Sequence, residues 1–159
     1  MIKVYTDGAA LGNPGPGAYA GILIFEQYKK EYSGGFRLTT NNRMELLAVI
    51  EGLKLIKKTS IPITVFSDSK YVVDAVNLGW IINWQKKKFA KVKNPDLWIQ
   101  FLNLKIKFAY LQFQWVKGHS TNEFNNRCDL LATEYAKNKP DLIDTFYENQ
   151  TTESINFDE

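Results

Sequence analysis

The chain has 159 residues, of which 45% are hydrophobic and 14% aromatic, a size and composition that fit one globular domain with a substantial core. The net charge of +3 conceals an asymmetry: residues 140–159 carry six acidic and no basic side chains, which leaves +9 on residues 1–139 and indicates a polyanionic partner such as nucleic acid. The single cysteine, Cys128, excludes a fold that depends on internal disulfides, and no apolar run approaches membrane-spanning length.

The N-terminal third of the chain predicts three strands. Residues 2–6 form an apolar strand followed by an Asp-Gly pair, and residues 9–17, rich in Gly and Pro, form a loop. Residues 18–25 and 31–38 are two further strands, with a bulge expected at Gly34-Gly35. The connections between these segments are short, which favours an antiparallel hairpin or meander.

A helix and a fourth strand follow. Apolar residues recur at helical spacing from Met44 to Lys58, which predicts an amphipathic helix capped near Asn42. The fourth strand runs from Pro62 to Asp68, and the intervening helix lets it join the sheet as a crossover, parallel to the first strand.

The C-terminal half predicts more helices and one strand. Helices are expected at residues 70–76, 80–88 and 96–108, then a strand at 110–116 and a last helix at 123–137. The resulting order predicts an α/β fold with a mixed five-stranded sheet flanked by helices.

Four acidic residues lie where these predicted elements begin or end: Asp7, Glu45, Asp68 and Asp129. Parallel neighbouring strands end at the same edge of a sheet, so Asp7 and Asp68 are expected side by side at their carboxyl ends. A cluster of four carboxylates would be destabilised by several kcal/mol in a partly dry site unless a divalent cation neutralised it. Oxygen-only ligands favour Mg²⁺ or Mn²⁺ over zinc.

Each acid also has an ordinary structural interpretation. Asp-Gly after a strand is common turn chemistry, and Asp68 precedes a segment typical of a helix N-cap. Glu45 stands three residues after Asn42, as in a capping box, and Asp129 fits a solvated helix face. Taken singly, these interpretations are the better ones, and only the longer motifs around the acids favour a shared site.

Several sequence blocks carry a resemblance to one known family. They are Tyr5-Thr6-Asp7-Gly8, Gly12-Asn13-Pro14-Gly15-Pro16-Gly17, Thr39-Thr40-Asn41-Asn42-Arg43-Met44-Glu45-Leu46, Ser67-Asp68-Ser69, Trp115-Val116-Lys117-Gly118-His119 and Asn125-Asn126-Arg127-Cys128-Asp129. Together, and in this order from Ile2 to Tyr147, they closely resemble bacterial type 1 ribonuclease H.

The resemblance implies a ribonuclease H-like fold and an endonuclease that cuts the RNA strand of an RNA·DNA hybrid with two Mg²⁺ ions, or with Mn²⁺. It implies products with 3′-hydroxyl and 5′-phosphate ends. The family's metal-site carboxylates correspond to Asp7, Glu45, Asp68 and Asp129. The only histidine, His119, matches a residue that assists proton transfer or product departure.

The resemblance also implies a set of hybrid-binding residues: Asn13, Thr40, Asn41, Asn42 and Asn125. Amides on loops beside the acids supply the donors and acceptors that distinguish a 2′-hydroxyl, although Asn in such loops also serves as cap or turn residue. Thr40 with Asn13 is expected to hold a phosphate of the DNA strand, and Asn125 to position the reacting water. Where the family commonly has Gln, this chain has Lys70, which cannot accept a hydrogen bond and is expected to contact phosphate.

A basic, aromatic segment from Trp80 to Lys93 corresponds to the protrusion with which the family grips the hybrid. Its contact residues are expected to be Trp80, Trp84, Lys86, Lys87 and Lys88. The segment is shortened between Phe89 and Val92 relative to the usual pattern. The ordinary interpretation is a solvated helix end.

These observations predict a ribonuclease H domain at residues 1–147 and an acidic, flexible tail at 148–159. They predict a cytoplasmic monomer that binds RNA·DNA hybrid and no membrane. Two other functions stay open: a metal nuclease on the same fold that cuts DNA, and a catalytically silent hybrid-binding module.

Overall fold

The computed structural model describes residues 1–150. The chain forms, in order, β1 Ile2–Ala10, β2 Gly15–Phe25, β3 Tyr28–Thr39, α1 Asn41–Lys54, β4 Ile63–Ser67, α2 Lys70–Asn77, α3 Trp80–Lys86, α4 Pro95–Lys105, β5 Leu111–Trp115 and α5 Glu123–Lys137. Within this part of the chain, no helix combines the length and hydrophobicity needed to cross a bilayer.

The five strands form one mixed sheet in the order β3-β2-β1-β4-β5. β1 and β3 each pair antiparallel with β2, whereas β4 lies parallel to β1 and β5 parallel to β4. The predicted fold class and the crossover between β1 and β4 are therefore confirmed. The parallel register sets Thr6 opposite Ser67, so that Asp7 and Asp68 follow at the same edge of the sheet.

Apolar side chains bury both faces of the sheet. Neighbouring residues of β1 point to opposite faces: Val4 joins the large cluster that includes α1 and α4, and Tyr5 joins a smaller one with Ile22 and Cys128 of α5. Full burial of one aliphatic side chain contributes about 1.5–3 kcal/mol. Packing on both faces therefore fixes α1 and α5 relative to the sheet, and with them the acids they carry.

Helix α1 begins earlier than the sequence predicts. Its N-cap is Thr40, whose side-chain oxygen accepts a hydrogen bond from the backbone N–H of Arg43. Asn42 lies inside the first turn, so the capping-box interpretation of Glu45 is wrong. Glu45 is free for another role because Thr40 already caps the helix.

Three helices end earlier than predicted, α1 at Lys54, α3 at Lys86 and α4 at Lys105. Beyond two of these ends, Ile56 and Phe108 remain buried although they lie outside the helices. The apolar pattern continues through such residues, and periodicity therefore overestimates the helix length.

Two predictions about the β1–β2–β3 meander are corrected. The loop predicted over residues 9–17 shrinks to residues 11–14, because both strands extend into the Gly-Pro segment. Gly34-Gly35 is regularly paired with β2, and the register instead shifts near Gly15 and Gly17. A Cβ on Gly35 would lie 2.4 Å from the carbonyl oxygen of Gly17, so close packing, rather than a bulge, requires glycine there.

The segment after α5 packs back onto the body. The Asp144 carboxylate is buried and accepts hydrogen bonds from Thr39 and Arg43. Residues 145–150 are helical, and Glu148 forms an ion pair with Arg37 at 2.8 Å. Of the predicted tail at 148–159, residues 151–159 lie outside the described residues, and the domain boundary stays a prediction.

Candidate active site

Gly8 joins two of the predicted acids. Its backbone N–H donates hydrogen bonds to Asp7 Oδ1 at 2.8 Å and to Glu45 Oε1 at 3.1 Å. A Cβ on Gly8 would lie 2.3 Å from the backbone nitrogen of Glu45. The first turns of α1 can therefore approach β1 only because residue 8 is glycine, and this approach brings Glu45 beside Asp7.

Three of the four predicted acids converge. One carboxylate oxygen from each of Asp7, Glu45 and Asp68 lies within 4.8 Å of the other two. Asp7 and Glu45 are 4% and 9% exposed. Residues 23 to 61 positions apart in the chain therefore form one compact set of oxygen ligands. The proximity of Asp7 and Asp68 was predicted from the shared edge of their parallel strands.

The electrostatics of this cluster disfavour the state in which all three carboxylates are ionised and no cation is bound. The pKa of Asp7 is raised to about 7, mainly because the carboxylate is buried and also because of the charge of Asp68, while hydrogen bonding to Glu45 and Gly8 partly offsets the rise. Burial, followed by the charge of Asp7, raises the pKa of Glu45 well above its ordinary value. Burial and the charge of Asp129 raise the pKa of Asp68. The site therefore favours protons or cations among its carboxylates.

The donor set fits a hard divalent cation. Glu45 Oε2 is buried and has no hydrogen-bond partner among residues 1–150, an arrangement that normally costs free energy. Oxygen-only coordination by carboxylates is the chemistry that Mg²⁺ and Mn²⁺ prefer. A cation shared by Asp7, Glu45 and Asp68 would satisfy the orphaned oxygen and relieve the repulsion together.

Asp129 lies at the margin of the cluster. It projects from the second turn of α5, its side chain is 41% exposed, and Oδ2 lies 4.0 Å from Nδ1 of His119. The side chain of His119 is itself 86% exposed. The preceding residue, Gly118, lies so close to Asp68 that a Cβ on it would be 2.7 Å from Asp68 Oδ2. The structure thus brings His119 and Asp129 next to Asp68, outside the compact triad.

Asn125 occupies a buried position at the start of α5. It is 1% exposed, and its side-chain Oδ1 has no hydrogen-bond partner in the described part of the chain. Its backbone N–H donates to the N-cap Asn122. The unpaired oxygen is consistent with the predicted contact to a water or substrate group, which stays a prediction.

The predicted amide loops interlock beside the acids. The backbone N–H of Asn41 donates to Asn13 Oδ1 at 3.0 Å, and the Asn41 side-chain oxygen accepts from Ala10 N–H. Thr40 caps α1 from the same loop, and Asn42 is exposed. The cap interpretation and the binding interpretation are compatible, because the amide oxygens order the loop while the amide N–H₂ groups remain as donors.

Two cavities adjoin these loops. One of about 370 Å³ contains Glu45 and Asp68 and is also lined by Asn41, Asn42 and Lys70. A second of about 430 Å³ is lined by Asn13, Thr40, Asn42, Lys93, Asn94, Tyr147 and Gln150. Lys93 and Tyr147 were not predicted for this site, because only the tertiary fold brings the loop before α4 and the C-terminal segment to Thr40.

The basic segment forms a separate surface. Lys86, Lys87 and Lys88 are exposed, and Trp80 is 40% exposed. Trp84 packs edge-on against the buried Trp98, with ring centroids 5.4 Å apart. The lysines and Trp80 are therefore accessible to a ligand, while Trp84 also anchors α3 to the core.

Comparison with known proteins agrees with this arrangement. The family model described as RNase H matches residues 1–137. Ribonuclease H of Syntrophus aciditrophicus (strain SB) is 49% identical over 141 residues, 86% of this chain and 80% of that protein. Ribonuclease HI of Helicobacter pylori (strain ATCC 700392 / 26695) is 51% identical over 131 residues, 82% of this chain and 90% of that protein.

Two solved structures are similar in fold. LC9-RNase H1, described as a type 1 RNase H with the type 2 active-site motif, has a TM-score of 0.78 at 26% identity, covering 94% of this chain and 79% of that one. LC11-RNase H1, solved in complex with RNA/DNA hybrid, has a TM-score of 0.63 at 28% identity, and the match covers 87% of this chain and 98% of that one.

Proposed function

The chain belongs to the bacterial type 1 ribonuclease H family, and from that membership we propose that it hydrolyses the RNA strand of RNA·DNA hybrids with two Mg²⁺ ions. The observation that carries the proposal is the convergence of carboxylate oxygens of Asp7, Glu45 and Asp68 to within 4.8 Å, where Glu45 Oε2 is buried and has no hydrogen-bond partner within residues 1–150. The products would have 3′-hydroxyl and 5′-phosphate ends.

In this proposal Asp7, Glu45 and Asp68 would hold one cation, and Asp129 would contribute to holding the other. The charge of Asp129 already acts on Asp68 and Asp7 by raising the pKa of each. When bound, paired cations would activate a water molecule and stabilise the leaving oxygen of an in-line displacement. Mn²⁺ would substitute because it accepts the same oxygen ligands.

The other site residues act around the reacting phosphate. His119 is exposed and 4.0 Å from Asp129, so its imidazole can carry a proton to or from the product. The buried Asn125 would orient the water through Oδ1, which has no hydrogen-bond partner in the part of the chain that the structure describes.

Recognition of the hybrid would use both cavities. Asn41 and Asn42 line the one that contains the acids and would contact 2′-hydroxyl groups of the RNA strand. Asn13 and Thr40 line the other and would hold a phosphate of the DNA strand, with Lys93 adding charge.

Binding outside these cavities would use the basic segment. Trp80 and Lys86 to Lys88 would grip the backbone farther along the duplex, with Trp84 beneath them. We assign the catalytic domain to residues 1–147 and propose that it acts as a cytoplasmic monomer without membrane contact. Sedimentation with and without hybrid tests the monomer.

A cleavage assay tests the reaction. A hybrid labelled on either strand, a DNA duplex and an RNA duplex of the same sequence are incubated with the protein and Mg²⁺. We expect cutting only of the RNA strand in the hybrid, and extension of the products by a polymerase that needs a 3′-hydroxyl. Cutting of the DNA duplex alone would identify the rival DNA nuclease. Binding of the hybrid without cutting in either metal would identify the silent module.

A metal count tests the number of ions. Mn²⁺ bound to the protein is titrated by electron paramagnetic resonance with a hybrid whose 2′-O-methyl RNA strand resists cleavage. We expect two ions per chain, and one in the Asp129→Asn variant because the second set of ligands is then incomplete. A single ion in the unaltered protein would refute the two-ion proposal.

A further inference from the structure

A large indole lies half exposed at the rim of the acidic cavity. Trp115 is the last residue of β5 and stands opposite Ser67 in the parallel register, one residue before Asp68. It is 42% exposed, and its Nε1–H donates a hydrogen bond to the backbone carbonyl oxygen of Asp68 at 3.1 Å. Burial of apolar area alone does not explain this placement, whereas the contact with Asp68 does.

The face of the same indole holds a cation. The Lys70 ammonium lies 5.1 Å from the centroid of the Trp115 ring, within the range of a cation–π interaction. Lys70 is the first residue of α2, where the helix dipole disfavours positive charge. It lines the same cavity as Glu45 and Asp68, yet the ion pairs of the described residues do not include it.

We propose that Trp115 is a positioning residue that acts on the substrate through Lys70 and on the acidic site through Asp68. Its ring holds the ammonium at the mouth of the cavity, where Lys70 binds a phosphate of the RNA strand beside the one that is cut. Its N–H holds the backbone of Asp68. The inference rests on the proposed function and assigns Trp115 a part in it.

The physical effect of the ring is preorganisation. A lysine side chain has high rotamer entropy, and ordering it on binding weakens the interaction. A lysine already held against an aromatic face loses less freedom when it meets phosphate. Removing the Trp115 ring should therefore weaken phosphate binding about as much as removing the Lys70 charge does, although Lys70 keeps its charge in that variant.

The test compares four variants by steady-state kinetics on the hybrid between about 50 and 200 mM salt, where counterion release gives a slope of roughly one per phosphate contact. Lys70→Gln and Trp115→Leu should each lower the salt slope of kcat/KM by about 1, mainly through KM. The double variant should show no further loss. Trp115→Phe keeps a ring but no N–H donor, so it should keep the salt slope and lower kcat.

Lys58→Gln provides the control, because this exposed lysine follows the end of α1 that is remote from Glu45. It removes the same charge and should leave the slope unchanged. Additive losses in the double variant, or an unchanged slope in folded Trp115→Leu, would overturn the proposal. If Trp115→Leu does not fold by circular dichroism, Trp115→Phe decides, and a lowered slope in that variant would overturn it.

Failure of this inference is distinguishable from failure of the proposed function. An unaltered protein that does not cut the hybrid would refute both. An unaltered protein that cuts it normally, with Trp115→Leu retaining the full salt slope, would refute only the role of Trp115.

Discussion

Replacing Asp7 by Asn should stabilise the metal-free protein while abolishing cleavage. The Asp7 carboxylate is 4% exposed and lies within 4.8 Å of Glu45 and Asp68. An Asn side chain has nearly the same shape, and its oxygen can still accept the hydrogen bond that Gly8 N–H now donates at 2.8 Å. The substitution therefore removes one buried charge without removing the contact.

The size of the expected gain in stability follows from the raised pKa of Asp7. Raising the pKa of Asp7 from 3.8 to about 7 corresponds to about 4 kcal/mol, at roughly 1.4 kcal/mol per pKa unit. Because the folded state holds this proton more tightly than the unfolded state, the unaltered protein loses stability as the pH rises from about 4 to about 7. The advantage of Asp7→Asn should be small near pH 4 and reach up to about 4 kcal/mol above pH 7, or roughly 10 °C in Tm.

Thermal melting in EDTA across this pH range measures the effect. The exposed Asp141 supplies a control, since Asp141→Asn makes the same chemical change away from the cluster. Mg²⁺ should raise the Tm of the unaltered protein and much less that of Asp7→Asn, because ligand binding stabilises only the state that binds it. A variant that melts lower than the unaltered protein at pH 8, or whose advantage is the same at pH 4, would show that Asp7 is a structural residue.

Three further substitutions probe the surface, the scaffold and the approach of α1. Replacing Lys86–Lys88 by Ala should raise KM for the hybrid and lower its salt slope by about 2–3; an unchanged slope would remove this segment from the binding surface. Asp144→Asn removes one of the two carboxylates paired with the buried Arg43, and Asp96 remains as the other, so the substitution should cost roughly 2 kcal/mol in urea unfolding; an unchanged stability would contradict this. Gly8→Ala should weaken Mg²⁺ binding in calorimetry, because the new Cβ would lie 2.3 Å from the backbone nitrogen of Glu45; unaltered affinity would show that α1 adapts without moving its carboxylate.

Much of the fold could be predicted because it follows from local patterns. The last helix, Glu123–Lys137, has the predicted bounds, since an N-cap Asn122 starts it and its side chains keep a helical period. Helix ends were predicted less well. Ile56 and Phe108 are apolar and buried but lie beyond their helices, and hydrophobicity does not distinguish a buried loop residue from a helical one.

The positions of the active-site acids likewise differ in how far the sequence predicts them. Asp7 and Asp68 end parallel strands, so their proximity was predictable from β-strand geometry alone. The position of Glu45 depends on how closely α1 approaches Gly8, and that of Asp129 on how α5 crosses the opposite face. Both distances are set by packing between elements, which motif order does not specify.

The sequence by itself determined the family, the order of strands and helices, and the acids available for a metal site, because these depend on residue type and local spacing. Only the tertiary structure decided that Trp115 holds Lys70 beside Asp68, and that Asp144 of the acidic C-terminal region is a buried partner of Arg43. Such contacts join residues 45 to 101 positions apart in the chain, and they form only when packing of the sheet and helices fixes the relative positions of distant segments.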